Sequence, residues 1–151
     1  MAMFRGNIPA KIDEKGRLKL PSGFKALMDA ASVTVFFVTS TDGKSAEIWP
    51  LPEWEKVEAR LAKYSSYDPA VRDFMNVVNY YGLQVEMDNQ GRILLPQILR
   101  NKAKLDAEVT VMGQIKYLAV HNREVFESEA PINGLSAERL NTVSGYMNDP
   151  D

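Results

Sequence analysis

The sequence predicts an α+β fold, mainly β, in which two half-barrels close on each other within one chain as an internal pseudo-dimer flanked by helices. Three observations predict it. The chain repeats itself: residues 12–21 read IDEKGRLKLP and residues 87–96 read MDNQGRILLP, with Asp, Gly, Arg, Leu and Pro shared. Apolar residues fall in short β-branched or aromatic runs bounded by Gly, Pro and Asp, the pattern of short strands. Each copy spans only about 45 residues, too few to bury a core alone, so each is the natural partner of the other.

The elements follow in order. Residues 8–12 and 18–20 are extended runs around a turn at 13–16. A helix opens at Pro21 and Ser22, with Ser22 as its N-cap and Phe24, Leu27 and Met28 on one face. Residues 33–38 read as a buried strand, and Asp42-Gly43 turns the chain into a second strand at 46–49. Pro52 starts a helix with Trp54, Val57, Leu61 and Tyr64 on one stripe. Asp68 caps the next helix, with Pro69 in its first turn and Val71, Phe74, Met75 and Val78 along one face. After Gly82 the second copy supplies strands at 83–87 and 92–95, a helix near 97–103, strands at 108–112 and 115–120, and a helical turn near 123–128. Residues beyond Pro131 carry few apolar side chains and are expected to be loosely held. The division is therefore a first module at 4–51, a helical linker at 52–81, a second module at 82–128 and an acidic tail at 129–151.

Composition bounds the function. With 151 residues, 45% apolar and 25% charged, the chain has the profile of a globular protein with room for a core. No run approaches the roughly 18 apolar residues of a membrane span, and no secretory signal is visible. There is no Cys, hence no thiolate nucleophile and no cysteine-based zinc site. His121 is the only histidine, at a strand end before a helix, and is expected to be structural. Neither a P-loop, GxGxxG nor GxSxG occurs. The expectation is a cytoplasmic non-enzyme with no metal, no other cofactor, no small-molecule substrate and no membrane partner.

The net charge of −2 hides an asymmetry. Residues 4–20 hold five basic side chains against two acidic, and residues 83–104 hold four against two. Residues 123–151 hold two basic against six acidic. An acidic tail thus masks two basic segments, the kind of pattern that a nucleic-acid binder can conceal.

Both basic segments contain the repeated turn. In Asp-x-x-Gly-Arg the carboxylate of Asp13 or Asp88 can accept N–H groups of its own turn, and Gly16 or Gly91 supplies a positive φ. Arg17 and Arg92 follow four residues after those carboxylates, and a guanidinium held by a carboxylate is a pre-set fork for phosphate or guanine. Lys15, Lys19 and Arg5 enlarge the positive patch. The second turn carries Asn89 and Gln90 where the first has Glu14 and Lys15, so the two need not contribute equally. The remaining acidic pairs, Asp13 with Glu14 and Glu53 with Glu55, read as solvated charge, and Trp54, Tyr64 and Phe74 as core or, alternatively, an interface between subunits.

From residue 3 to about residue 128 the chain resembles the MraZ family, built from two SpoVT-AbrB (swapped-hairpin) domains. The resemblance rests on MFRGN at 3–7, DEKGRL at 13–18, WPLPEWE at 49–55, DNQGRILLP at 88–96 and EVTVMG at 108–113. Met1 and Ala2 precede that start and are left out of the fold reading. The resemblance implies a transcriptional regulator of the division and cell-wall gene cluster that binds double-stranded DNA at short G-rich direct repeats. It also implies a closed ring of identical subunits, acting at the nucleoid. Carried onto this chain, the DNA-binding residues are Asp13, Lys15, Arg17, Asp88 and Arg92, with Arg5 added from the same basic segment. Tandem repeats would let a ring gain avidity from several weak modules. The alternatives are an AbrB-fold antitoxin, which needs apolar anchors in its tail, a scaffold that binds no DNA, and an enzyme with Asp13 and Asp88 in one cavity.

Overall fold

Both repeats fold in one order, strand, turn, strand, helix, strand, strand, helix, in the computed structural model, which describes residues 3–129 and 132–150. The first contributes β1 (Asn7–Lys11), β2 (Arg17–Lys19), α1 (Ser22–Ala30), β3 (Val35–Thr39), β4 (Ala46–Pro50) and α2 (Leu51–Leu61). After α3 (Pro69–Tyr80) the second contributes β5 (Leu83–Glu86), β6 (Arg92–Leu94), α4 (Gln97–Ala103), β7 (Glu108–Gly113), β8 (Leu118–Asn122) and α5 (Arg123–Glu129). A sixth helix, α6 (Ala137–Met147), follows. The fold is therefore mixed, with antiparallel strands and six helices among the described residues. Met1, Ala2 and Pro131, which served as boundaries above, lie outside those residues.

The strands of the two repeats interleave. β1 pairs antiparallel with β7, Asn7 opposite Met112 and Lys11 opposite Glu108. β5 pairs with β3 in turn, Val35 opposite Glu86 and Val38 opposite Leu83. The six-stranded sheet runs β1-β7-β8-β4-β3-β5, and reading it backwards with the repeats exchanged gives the same order. A second, two-stranded sheet joins β2 to β6 with Leu18 opposite Ile93, both fully buried. Backbone bonds tie the turns together across it: Leu20 N–H donates to Gly91 O at 2.9 Å and Leu95 N–H to Gly16 O at 3.0 Å.

Alternation of buried and open positions along these strands gives one core drawn from both repeats. Phe4, Leu18, Met28, Phe36, Ile48, Ile93, Leu95, Leu99 and Leu118 lie in it with almost no exposure. Each such side chain contributes about 1.5–3 kcal/mol by leaving water. On the other face of the sheet Trp54 of α2 stacks on Phe37 at 4.9 Å and lies 6.5 Å from Phe74 of α3. Thr39 Oγ1 donates to Val78 O at 2.6 Å and pins α3 to β3. None of the described helices is long and apolar enough to cross a membrane.

Several local expectations need correction. Ser22 is the first residue of α1 rather than its cap; Pro21 holds the cap position and makes no side-chain cap bond. Tyr64 is 64% exposed, because α2 ends at Leu61 and its stripe ends with it. Glu53 is buried instead of solvated, with Lys56 Nζ 3.1 Å from Oε1. The strand expected at 115–120 starts at Leu118, since Ile115 has φ +69° and pairs with Phe4 at the tip of the hairpin. Residues 137–147, within the tail, form a helix, α6: Ser136 Oγ accepts Arg139 N–H at 3.2 Å and caps it, and none of its residues is buried. Asp68 does cap α3, accepting Ala70 N–H at 2.9 Å and Val71 N–H at 3.3 Å.

Candidate nucleic-acid interface

The repeated turns are built alike. Asp13 Oδ1 accepts Lys15 N–H at 3.0 Å and Arg17 N–H at 2.8 Å, while Oδ2 accepts Arg17 Nε–H at 2.8 Å. Asp88 Oδ1 accepts Gln90 N–H at 2.9 Å and Arg92 N–H at 2.9 Å, and Oδ2 accepts Arg92 Nε–H at 2.7 Å. Gly16 and Gly91 close the turns with φ of +81° and +76°, a region in which other residues are strained. One carboxylate thus shapes the backbone with one oxygen and orients a guanidinium with the other. Both pairs are partly exposed, where an ion pair adds little to stability and serves chiefly to hold geometry. The guanidinium nitrogens beyond Nε stay available for a second acceptor.

Hydrogen bonding also sets the charge state. The Arg17 backbone N–H is the largest influence and holds Asp13 below the ordinary carboxylate range; desolvation, the next largest, opposes it, and the Arg17 guanidinium and Lys15 N–H add to the lowering. Arg92 does the same for Asp88. A lowered folded pKa means that the stabilising contribution is complete above the unfolded value. It is lost only as pH falls through the lowered folded one. Both turns are accordingly expected to stay formed throughout the pH 5–8 range. Carboxyl NMR titration is expected to place both midpoints below 3.8; a midpoint at or above that value would contradict the geometry.

β2 and β6 bring the two turns onto one surface. With Leu18 and Ile93 facing the core, Arg17, Lys19, Arg92 and Leu94 share the opposite face. Lys19 stands directly across from Arg92, whose charge the Asp88 carboxylate already partly offsets. Each turn also receives a cation from the helix of the other repeat. The Arg100 guanidinium of α4 lies where a Cβ on Gly16 would go, and its Nε–H donates to Leu95 O at 3.0 Å. Lys25 of α1 lies 2.9 Å from the corresponding point on Gly91 and pairs with Asp29 at 2.7 Å. Gly16→Ala is expected to cost about 1–2 kcal/mol for the left-handed backbone alone, more as Arg100 is displaced. Denaturant unfolding measures this.

Lys15 lies exposed in the first turn, as expected. Arg5 is exposed too; it precedes β1 and lines a cleft with Ile8, Gly23, Phe24 and Leu27, none of which belongs to either turn. His121 is half-buried against Phe126, with ring centres 4.5 Å apart, and burial lowers its pKa. Among the described residues no cluster of His, Asp and Glu is placed to hold a metal ion.

Comparison with known proteins places this architecture. The family model described as "MraZ protein, putative antitoxin-like" matches residues 3–77 and 82–131. The chain belongs to the MraZ family. It is 54% identical over 136 residues to the protein named Transcriptional regulator MraZ of Acidobacterium capsulatum, covering 90% of this chain and 93% of that one. The protein of the same name from Koribacter versatilis is 46% identical over 143 residues, 94% of this chain and 97% of that one. That from Thiobacillus denitrificans is 32% identical over 127 residues, 84% and 86%. Both halves of the MraZ match contain one of the two turns. Lys25 and Arg100 were not singled out from sequence, yet the repeat carries the signal: each stands four residues after the shared proline, Pro21 or Pro96.

Proposed function

We propose that this chain is a sequence-specific DNA-binding transcriptional regulator. Its targets are short G-rich direct repeats upstream of the division and cell-wall gene cluster, where it acts chiefly as a repressor. The observation that carries the reading is the pair of carboxylate-oriented arginines, Arg17 and Arg92, on one face of the β2–β6 ribbon beside Lys15 and Lys19. A two-stranded ribbon fits the major groove, where arginine pairs bidentately with guanine O6 and N7. Membership of a family whose relatives are named transcriptional regulators supports it. The symmetric strand order supports the finer fold reading, a swapped-hairpin pseudo-dimer of two SpoVT-AbrB half-barrels. Asp13 and Asp88 orient the arginines, Lys15 attracts phosphate, and Arg5 reaches flanking backbone from the cleft beside β1. The protein works in the cytoplasm at the nucleoid, as a ring of identical subunits that multiplies weak contacts over tandem sites. The exposed rings of Tyr64, Tyr67 and Tyr80 around α2 and α3 supply surface for neighbouring subunits.

Fluorescence anisotropy on a labelled duplex from upstream of its own gene, against an unrelated duplex, tests the reading. Selective binding is expected, with log affinity falling about 0.9 per log unit of salt for each phosphate neutralised. Equal indifference to both duplexes at low salt, with the assembly intact by light scattering, would leave the scaffold reading instead. One observation favours a second function: α6 leaves Leu140, Val143, Tyr146 and Met147 exposed, the apolar anchors an antitoxin tail requires. Removing that helix would then abolish toxin neutralisation and spare DNA binding.

A further inference from the structure

The two repeats differ on the shared face in one chemically telling way. Aligned on their arginines, the first reads Arg17-Leu18-Lys19 and the second Arg92-Ile93-Leu94, so a leucine stands where the first copy has a lysine. The register places Leu94 directly opposite Arg17, and the neighbouring pair is Lys19 with Arg92. Leu94 is 40% exposed, whereas its neighbours Ile93 and Leu95 are wholly buried. The outward face is therefore three cations and one apolar side chain. Ordinary antiparallel geometry sets Leu94 about 5 Å from Arg17 at Cβ and puts the two arginines about 7–8 Å apart on the diagonal. That diagonal matches about two steps of a duplex at 3.4 Å each.

A major groove offers one apolar group among its base edges, the 5-methyl of thymine. We infer that Leu94 is a specificity residue that reads a thymine methyl beside the guanine taken by Arg17. The inference rests on the DNA reading above and adds a base type to it. Nothing else on the ribbon's outward face can make that contact: Arg17, Lys19 and Arg92 all end in hydrogen-bond donors. The first copy has no equivalent, because Lys19 occupies the matching position. The two halves of the ribbon therefore read different bases, and the pseudo-symmetric protein imposes a direction on its site. Direct repeats, which share one direction, suit such a reader better than palindromes do.

Two duplexes of the upstream sequence test this, one with thymine and one with uracil in every thymine position, which removes only the methyl. Wild type, Leu94→Ala, Leu94→Met and Arg17→Ala are compared by anisotropy, with light scattering to follow assembly. Wild type is expected to bind the uracil duplex less tightly, by about fourfold for each methyl that Leu94 would otherwise cover. Leu94→Ala is expected to bind both duplexes alike, at the wild-type level on uracil, and Leu94→Met to restore the preference. Wild type that binds both duplexes equally, or Leu94→Ala that keeps the full preference, overturns the inference while the DNA reading stands. Wild type that binds neither duplex overturns both.

Discussion

Arg17→Ala is expected to cut affinity for the upstream duplex at least tenfold while leaving the assembly intact. The substitution deletes a bidentate donor pair, and each such pair discriminates strongly between bases. It also exposes the Asp13 carboxylate, whose Oδ2 loses the Arg17 Nε–H donor, to the approaching phosphates. In the proposed ring the loss would recur in every subunit, and the measured drop would exceed that of one contact. The turn itself survives, because Lys15 N–H and the backbone N–H of residue 17 still reach Asp13 Oδ1 at 3.0 and 2.8 Å. Melting temperature is accordingly expected to move little. Arg92→Ala follows the same logic, with a loss of the same order. Arg17→Lys separates charge from geometry: a lysine restores the point charge but not the fork, so salt-dependent binding returns without selectivity. Affinity unchanged in both alanine variants would remove these arginines from the interface.

Phe36→Ala is expected to destabilise the fold by about 3–5 kcal/mol, a large share of the roughly 5–15 kcal/mol that holds a domain of this size. Phe36 has no exposure and lies in β3, opposite Pro50 of β4 on one side and Val85 of β5 on the other. Its removal opens a cavity at a junction of the two repeats. At about 2–4 °C per kcal/mol, the melting temperature falls by roughly 6–20 °C. Because the core draws on both repeats, unfolding is expected to remain a single cooperative transition. Two separate transitions in calorimetry would show that the repeats melt independently.

Much of this was legible in the chain because it was written twice. The duplicated Asp, Gly and Arg specify the turn by themselves, and the structure returns matching bonds in both copies, at 2.8 and 2.7 Å for Nε to Oδ2. Which strand pairs with which was not legible. β1 meets β7 across about a hundred residues of chain, and no local pattern distinguishes that partner from the nearer β2. Lys25 and Arg100 were hidden for the same reason, since each serves the turn of the other repeat. Glu53 misled because a charged helix face ordinarily faces water, and only the packing of α2 reveals its burial. α6 was not read from the sequence because its apolar residues are sparse; Ser136 caps it, and none of its residues is buried.

The interleaved sheet also governs how the protein is made. β1 leaves the ribosome about a hundred residues before β7, roughly 5–20 s earlier at ordinary translation rates. During that interval Asn7–Lys11 has no strand to lie against, and β2 waits for β6 in the same way. Completion of the sheet is thus deferred until nearly the whole second repeat has emerged, and its long-range pairings close slowly. A nascent chain paused midway through the second repeat therefore carries β1 without its partner strand, with its backbone donors and acceptors unpaired.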